Sequence, residues 1–399
     1  MSKVGFFKGF SRNIFIVGLV SLFTDLSSEM IFPLIPLFLF GVLGAGASAV
    51  GIVEGAAETT ASLLKVLSGY WSDKIKRRKP FLLFGYSMSA ITKPLFAFAK
   101  IWSFVLVVRV IERIGKGIRV APRDAIVAES CDEDVRGKAY GFHRAMDTTG
   151  AVLGAFLAFL LLPILGYKKI FLFAFIPAII GVFFILFIKE KSDPSNRVAG
   201  SICSQPNSRI SSIKLSFKEL PHNLRLFIIV SAVFGLGHFG YAFLLLRAKN
   251  IGLADNMAIL AYLLFNIVYA ICAIPFGMLS DKIGRKPVLM GSYSLFGLIS
   301  IGLMWSSTIY SIFLIFIIYG IFFAMMEGVQ RAFVVDLAPW HLKGTALGTF
   351  HTATGLVALP GGFFAGVLWD KINPDATFIY GAALAIIAII LFLFVKGKQ

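Results

Sequence analysis

Long apolar runs of about 20 residues recur along the chain, with short polar segments between them. At a rise of about 1.5 Å per residue, a helix of that length crosses the hydrocarbon core of a bilayer, about 30 Å thick. The runs are too long and too uniformly apolar for the strands of a membrane barrel. We therefore predict an all-α integral membrane protein. Its twelve predicted transmembrane helices are 13–40, 48–70, 80–99, 101–129, 140–162, 170–188, 224–246, 257–279, 287–305, 310–336, 345–368 and 377–395.

The composition agrees with a membrane protein. Of the 399 residues, 58% are hydrophobic and only 15% are charged, which is more apolar surface than a soluble core of this size requires. The formal net charge of +17 would also suit a nucleic-acid-binding protein. Here, however, most basic residues lie between the predicted helices, where they set topology and attract anionic lipid headgroups. We therefore expect a lipid bilayer and no nucleic acid as a partner.

The basic residues also predict the orientation in the membrane. Lys and Arg are concentrated in alternate loops, and such loops stay on the cytoplasmic side. We therefore expect a multi-pass protein of the cell (cytoplasmic) membrane with both termini in the cytoplasm. Lys3, Lys8 and Arg12 resemble the charged start of a signal peptide, but no small-residue cleavage pattern follows them. The first helix is thus predicted to remain uncleaved.

The middle of the chain differs from the rest. Residues 191–222 are rich in proline, serine and basic residues, as is typical of a linker. We predict a cytoplasmic linker there, between an N-terminal six-helix bundle, 1–190, and a C-terminal six-helix bundle, 223–399.

The two predicted halves repeat one another. Gly69-Tyr-Trp-Ser-Asp73 follows the second helix, and Gly277-Met-Leu-Ser-Asp281 follows the eighth. A duplicated half places any substrate site near mid-membrane, between the halves. Basic residues follow both copies of the motif: Arg77 and Arg78 after the first, Arg285 and Lys286 after the second.

The fourth predicted helix carries a row of charged residues. A charged side chain at the bilayer centre costs at least about 2.5 kcal/mol on insertion scales. A row of ions on one helix face therefore has to line a wet or protein-filled interior. At about 100° per residue, these residues fall within an arc of roughly 120°. They are Arg109, Glu112, Arg113, Lys116, Arg119 and Arg123.

Acidic residues of the first, second and fourth helices share the same depth. Asp25, Glu29, Glu58 and Glu112 fall near mid-membrane in the N-terminal half. A carboxylate whose counter-ion can be withdrawn takes up a proton more readily, so these four are candidate proton-coupling residues. The alternative is a structural network of ions that stays paired throughout.

Substrate contacts are expected from both halves. Arg109 and Arg113 would bind an anionic or zwitterionic group. His238, Tyr262 and Asn266 would supply neutral polar and aromatic contacts from the C-terminal half, whose mid-membrane level holds no carboxylate. The alternative for His238 is a hydrogen-bonded packing residue.

These motifs resemble the major facilitator superfamily of secondary transporters over nearly the whole chain. The second copy of the loop, from Gly277 to Lys286, matches the family signature Gly-x-x-x-Asp-x-x-Gly-Arg-Lys. The first copy departs from it, with Lys76 where the family prefers glycine and one extra residue. The resemblance implies two pseudo-symmetric six-helix bundles, the major facilitator fold, that act as a monomer by alternating access.

The fourth helix is similar to the Arg-x-x-x-x-x-Gly pattern of proton-coupled members of that family, with Arg109 and Gly115 in the pattern. Ala151, however, stands where the exporter signature usually has proline. The resemblance implies that the loop motifs control gating, because they hold the halves together in the outward-open state. The expected gating residues are Gly69, Asp73, Arg77, Arg78, Arg123, Asp147, Gly277, Asp281, Arg285 and Lys286. For Arg123 and Asp147, which lie outside the loops, the alternative is a pair that holds two helices together.

Together, these features predict a proton-coupled secondary active transporter whose partners are a small-molecule substrate and protons. An efflux antiporter for an organic anion, a metal chelate or an amphipathic drug is the first interpretation. A proton symporter that takes up an organic anion is the alternative, and a non-transporting membrane receptor is the second. No nucleophile–base pair, metal-ligand spacing or ATP-binding loop is present, so we expect no enzyme activity, no metal and no cofactor.

Overall fold

The computed structural model describes residues 9–75, 77–132, 135–190 and 217–396. These residues form α-helices joined by short loops, as the apolar runs predict. The predicted linker lies largely outside the described residues.

The N-terminal half contains the first seven helices. They are α1 (Arg12–Glu29), α2 (Leu34–Leu37), α3 (Ala47–Ile75), α4 (Lys79–Leu95), α5 (Trp102–Glu129), α6 (Arg136–Phe173) and α7 (Phe175–Ile185).

The C-terminal half contains the remaining seven. They are α8 (His222–Gly237), α9 (Gly240–Asn250), α10 (Asp255–Ile283), α11 (Arg285–Trp305), α12 (Ile309–Leu337), α13 (Lys343–Lys371) and α14 (Pro374–Leu393).

Nine helical segments of the described ranges are long and apolar enough to cross a membrane. One of them, Arg136–Ile185, is 50 residues long and is interrupted at Gly166, where φ is 67°. Its two ends lie at the same face of the bundle. The backbone of Cys131, just before α6, forms an isolated antiparallel β-bridge with Phe10. The carbonyl of Lys189, beyond α7, accepts a hydrogen bond from the side chain of Asn13. This segment therefore crosses twice, and with the ion-bearing helices α3 and α5 the architecture is consistent with twelve transmembrane helices.

We call the face at which α1 begins and α14 ends the terminal face, and the face that carries the loop 43–46 the distal face.

The first helix of each half is broken between the two faces. In the N-terminal half α1 stops at Glu29, and Pro33 precedes α2. In the C-terminal half α8 stops at Gly237, and α9 begins at Gly240, whose φ of 69° suits glycine. Backbone hydrogen bonds continue across the first break, where the amides of Leu34 and Ile35 both donate to the carbonyl of Ile31, and at the second break the amide of His238 donates to the carbonyl of Phe234.

The repeat seen in the sequence is also a repeat of contacts at the terminal face. The Lys79 Nζ donates to two carbonyls 107 and 109 residues further along the chain, at 2.7 and 2.9 Å. The Lys286 Nζ does the same at the same two separations, at 3.0 and 2.7 Å. Arg78 pairs with Glu129, and Arg285 pairs with the corresponding Asp336. Each half thus fixes its own helix ends in the same way.

The halves meet along α3 and α13, which run antiparallel. Glycines allow their backbones to touch. A Cβ built at Gly51 would lie 1.9 Å from the carbonyl oxygen of Gly362. Near the distal end of this seam, the Asp370 carboxylate accepts hydrogen bonds from the backbone amides of Ala47 and Ser48, at 2.8 and 2.9 Å. The C-terminal half thereby caps the first turn of a helix in the N-terminal half.

Candidate functional site

A cavity of about 590 Å³ lies between the two halves. Asp370 closes it at the distal face, as does Tyr167, whose hydroxyl donates to Asp255 across the halves at 2.6 Å. Side chains of the cavity become more exposed toward the other end: 19% for Glu54, but 44% for Arg331 and 55% for Arg144. The cavity therefore opens at the terminal face.

Two residues of the charged row of α5, Arg109 and Glu112, do not line the cavity. Arg109 is fully buried and does not line the cavity. Its guanidinium donates to Glu54 at 3.0 Å and to Glu112 at 3.1 Å, and lies 4.2 Å from the centre of the Phe32 ring. Glu112 also pairs with Arg113 at 3.5 Å and is itself buried behind the cavity wall. In this conformation, two of the predicted site residues, Arg109 and Glu112, lie behind the cavity wall and not in the cavity.

The other predicted proton-coupling residues face the cavity. Asp25, Glu29 and Glu58 line it from α1 and α3, and Lys116 of α5 lies opposite them. In the described ranges, Asp25 makes no hydrogen bond or ion pair, and Glu58 accepts only a long hydrogen bond of 3.4 Å from Ser62. The cavity thus contains carboxylates that form no ion pair with an arginine.

Glu29, the last residue of α1, contacts the opposite half. Its carboxylate accepts a hydrogen bond from the Tyr262 hydroxyl at 2.8 Å. Asn266, one turn further along α10, donates to the Tyr262 carbonyl at 3.2 Å and also lines the cavity. Two predicted substrate-binding residues therefore lie beside a predicted proton-coupling residue, across the boundary between the halves.

The C-terminal wall of the cavity is largely aromatic. His238 sits at the break between α8 and α9, and its Nε2 lies 3.0 Å from the Tyr319 hydroxyl. Its ring is stacked on Phe234, with ring centres 5.8 Å apart. His238 lines the cavity and also packs against neighbouring aromatic rings. Its position is therefore compatible with both predicted roles, substrate contact and packing. Other aromatic residues of this wall are Tyr241, Phe265, Tyr269 and Phe323.

A second charged cluster lies nearer the mouth. Arg144 of α6 donates to the Tyr269 hydroxyl and lies 3.9 Å from Glu327 of the other half. Glu327 in turn pairs with Arg331, one turn along α12. The sequence analysis did not single out Arg144, because it is adjacent to His143 and at the edge of a predicted helix.

The predicted gating residues of α5 and α6 are placed as follows. Arg123 pairs with its neighbour Asp124 at 2.9 Å. Asp147 lines the cavity and pairs with His143 at 3.7 Å, while the other His143 nitrogen lies 2.7 Å from the Ser21 hydroxyl. These contacts tie α1 to α6 within the N-terminal half.

The gating residues of the two loops act within their own halves in this conformation. Arg78 donates to Ser72 at 2.8 Å and Arg285 to Ser280 at 2.5 Å, while Asp281 pairs with Arg285. Gly69 packs against α5, whereas Gly277 faces open space. Arg77 is exposed, Lys286 binds the end of α14, and the side chain of Asp73 lies outside the described residues.

One buried cation was missed at the sequence level. Lys93 of α4 is buried, and its Nζ donates to Ser27 at 2.5 Å and to Ser28 at 3.2 Å. A single lysine in an otherwise apolar run was the available signal. In the described ranges no group of three or more His, Cys, Asp or Glu side chains could hold a metal ion.

Comparison with known proteins agrees with this architecture. The family model of the Major Facilitator Superfamily matches residues 17–253 and 225–399. An uncharacterized MFS-type transporter of Methanocaldococcus jannaschii is 42% identical over 96% of this chain and 95% of its own. The cis,cis-muconate transport protein of Acinetobacter baylyi is 25% identical over 73% of this chain and 72% of its own.

Among solved structures, the nucleoside transporter NupG matches 97% of this chain and 100% of its own, with a TM-score of 0.79 at 16% identity. At that identity the match shows the fold alone. The helices, the repeat and the family model agree, and they confirm the predicted class: a multi-pass membrane transporter for a small molecule, not an enzyme. The chain belongs to the Major Facilitator Superfamily.

Proposed function

We propose that this chain is a proton-coupled secondary active transporter that works by alternating access, with Asp25 and Glu58 as its main proton-carrying groups. The observation that carries the proposal is that these carboxylates line the cavity between the halves and form no ion pair, whereas Arg109 is fully buried between Glu54 and Glu112. An always-paired structural network would leave no such groups free.

Closure of the cavity supplies the coupling. In the open state, water in the cavity hydrates the two carboxylates. Closure would remove that water, and an unpaired carboxylate without water is strongly unfavourable. Binding of a proton or of a substrate charge removes this penalty. The ion and the cargo therefore decide together whether the halves can close, which is the requirement for coupled transport.

Residues behind the wall have a positioning role. Arg109 holds α5 against α3 through Glu54, and Glu112 holds both Arg109 and Arg113. With these charges satisfied, α5 presents Arg113 and Lys116 to the cavity at a fixed level. Glu29 and Tyr262 connect the halves at mid-membrane, where a cargo molecule competes with their hydrogen bond.

The chemistry of the cargo decides whether protons are exchanged for it (antiport) or carried with it (symport). A cargo with a basic group, such as an amphipathic drug, displaces protons from the carboxylates, which gives efflux by antiport; the pattern of the fourth helix supports this sense. An organic anion instead binds to a basic side chain of the cavity. The carboxylates then lose the attraction of that side chain and bind protons, which gives symport. An organic anion as cargo is supported by a relative named as a cis,cis-muconate transport protein.

A test of the proton site needs no known substrate. Spin labels on exposed residues of the distal face, at Val42 and Ile372, report whether that face is closed. We expect the distance distribution of the parent protein to change between acidic and alkaline buffer, and the change to be lost in Asp25→Asn/Glu58→Gln. The matched control is Glu219→Gln, an exposed carboxylate just before α8. A pH response that survives in the double variant would remove both residues from the mechanism.

A further inference from the structure

Lys116 is a cation of the cavity that has no partner of its own. It lies on α5 at the cavity wall, and it forms no hydrogen bond or ion pair with any residue in the described ranges. Its neighbours on the same helix differ: Arg113 is held by Glu112, and Arg119 donates to the Ser89 hydroxyl at 2.6 Å. Lys116 is thus the cation of the row that is free to take an external anion.

The surroundings of Lys116 define what that anion looks like. Its Nζ lies 5.9 Å from the centre of the Phe32 ring, which Arg113 also covers at 4.7 Å. Across the cavity, the C-terminal half presents a wall of aromatic side chains, including Tyr262, Phe265 and Tyr319. One wall thus offers a positive charge, and the other offers flat apolar surface. A conjugated or aromatic carboxylate satisfies both walls at once.

Lys116 is electrostatically shared with the proposed proton sites. Asp25 and Glu58 both attract it, although neither is close enough to form an ion pair. A substrate carboxylate on Lys116 would take that attraction away from them, and a carboxylate without a counter-ion binds a proton more readily. Other charged groups near this level act on the same balance: Glu29 from α1, Lys93 from α4, Glu112, Arg113 and Arg119 from α5, Asp147 from α6, and Glu327 from α12.

We propose that Lys116 is the anchor for the carboxylate of the cargo, that the cargo is a conjugated or aromatic organic anion, and that the anion and a proton enter the cavity together. This inference rests on the proposed proton-carrying role of Asp25 and Glu58. It selects symport over antiport for the cargo bound at Lys116.

The binding test uses three probes on the purified full-length protein. They are 2-naphthoate, cis,cis-muconate and the neutral 2-naphthamide. By isothermal titration calorimetry we expect both carboxylates to bind the parent protein, and Lys116→Gln to weaken their binding by about 10- to 100-fold. Lys116→Arg keeps the charge and is expected to retain most of the affinity. Lys65→Gln is the control, because it removes a half-buried lysine that does not line the cavity. The Lys65→Gln protein is expected to bind both carboxylates with the affinity of the parent protein.

Three outcomes overturn the anchor. One is carboxylate binding that is unchanged in Lys116→Gln, and another is failure of both carboxylates to bind the parent protein at millimolar concentration. An affinity of 2-naphthamide equal to that of 2-naphthoate also overturns it.

Proton uptake in weakly buffered solution separates this inference from the proposed function. Uptake with 2-naphthoate that is lost in Asp25→Asn/Glu58→Gln supports both. Binding through Lys116 without any proton uptake keeps the anchor and refutes the coupling. A pH-dependent change at the distal face in a Lys116→Gln protein that binds carboxylates normally keeps the coupling and refutes the anchor.

Discussion

Gly51→Ala tests whether the seam between α3 and α13 has to close at the distal face. The added Cβ would lie 1.9 Å from the Gly362 carbonyl oxygen and 2.6 Å from its carbon. Carbon–oxygen contacts in proteins are rarely shorter than about 3.3 Å, so the two backbones have to separate by roughly 1.4 Å. No side-chain rotation can relieve this contact, because both opposing atoms belong to the backbone.

The expected cost follows from overpacking. Extra carbon atoms in a tightly packed interface typically cost about 1–3 kcal/mol. In an alternating-access cycle this cost applies only to the state in which the distal seam is closed. The ratio of distally open to distally closed molecules should therefore rise about 5- to 150-fold. Stability of each separate half should change little, because the contact lies between the halves.

Distances between spin labels measure this ratio. Labels at Val42 and Ile372 report on the distal face, and labels at Ile75 and Ile283 report on the terminal face; all four residues are exposed. In Gly51→Ala we expect a new population with a longer distal distance and a shorter terminal distance. Gly141→Ala in α6 is the matched control, since a Cβ at Gly141 meets no atom within 4 Å.

Two results would refute the reasoning. In the first, a folded Gly51→Ala protein keeps the distal distance distribution of the parent. In the second, Gly141→Ala produces the same shift, which would assign the effect to a helical glycine in general and not to the seam.

Two further substitutions test the buried ions and the distal cap. Arg109→Ala leaves Glu54 and Glu112 without their shared partner, so we expect a loss of about 3–5 kcal/mol in the free energy of unfolding. Thermal unfolding in detergent measures this loss. An exposed ion pair contributes roughly 1 kcal/mol or less, so a loss below about 1 kcal/mol would contradict the expected role of the buried pair. Asp370→Ala removes the cap on α3, which costs the distally closed state about 0.5–2 kcal/mol. Labelling of an introduced cysteine at Ser48 by a maleimide should become faster, and an unchanged rate would contradict the role of the cap.

The sequence predicts the helices well because the membrane sets their length and polarity. Apolar runs of about 20 residues gave the fold class, and the duplicated loop gave the division into two halves. Pro33 also signals the end of the first helical segment. The matching break before Gly240 has no proline, and it depends on packing against other helices that a single sequence does not contain.

The charged row of α5 shows where sequence reasoning ends. Helical periodicity correctly places Arg109 and Lys116 in the protein interior. It does not show that Arg109 is buried between Glu54 and Glu112, or that Lys116 lines the cavity, because both residues lie on the same broad face of one helix. That distinction depends on the positions of α1 and α3, which are fixed by contacts between distant parts of the chain.

The most direct test of the central claim is transport by Asp25→Asn/Glu58→Gln in proteoliposomes, with a labelled aromatic carboxylate as cargo. Two fluxes are compared: accumulation driven by an imposed pH gradient, and exchange between equal cargo concentrations on the two sides without a gradient. If these two carboxylates carry the protons, gradient-driven accumulation is lost while exchange persists. Accumulation at the rate of the parent protein would contradict the account.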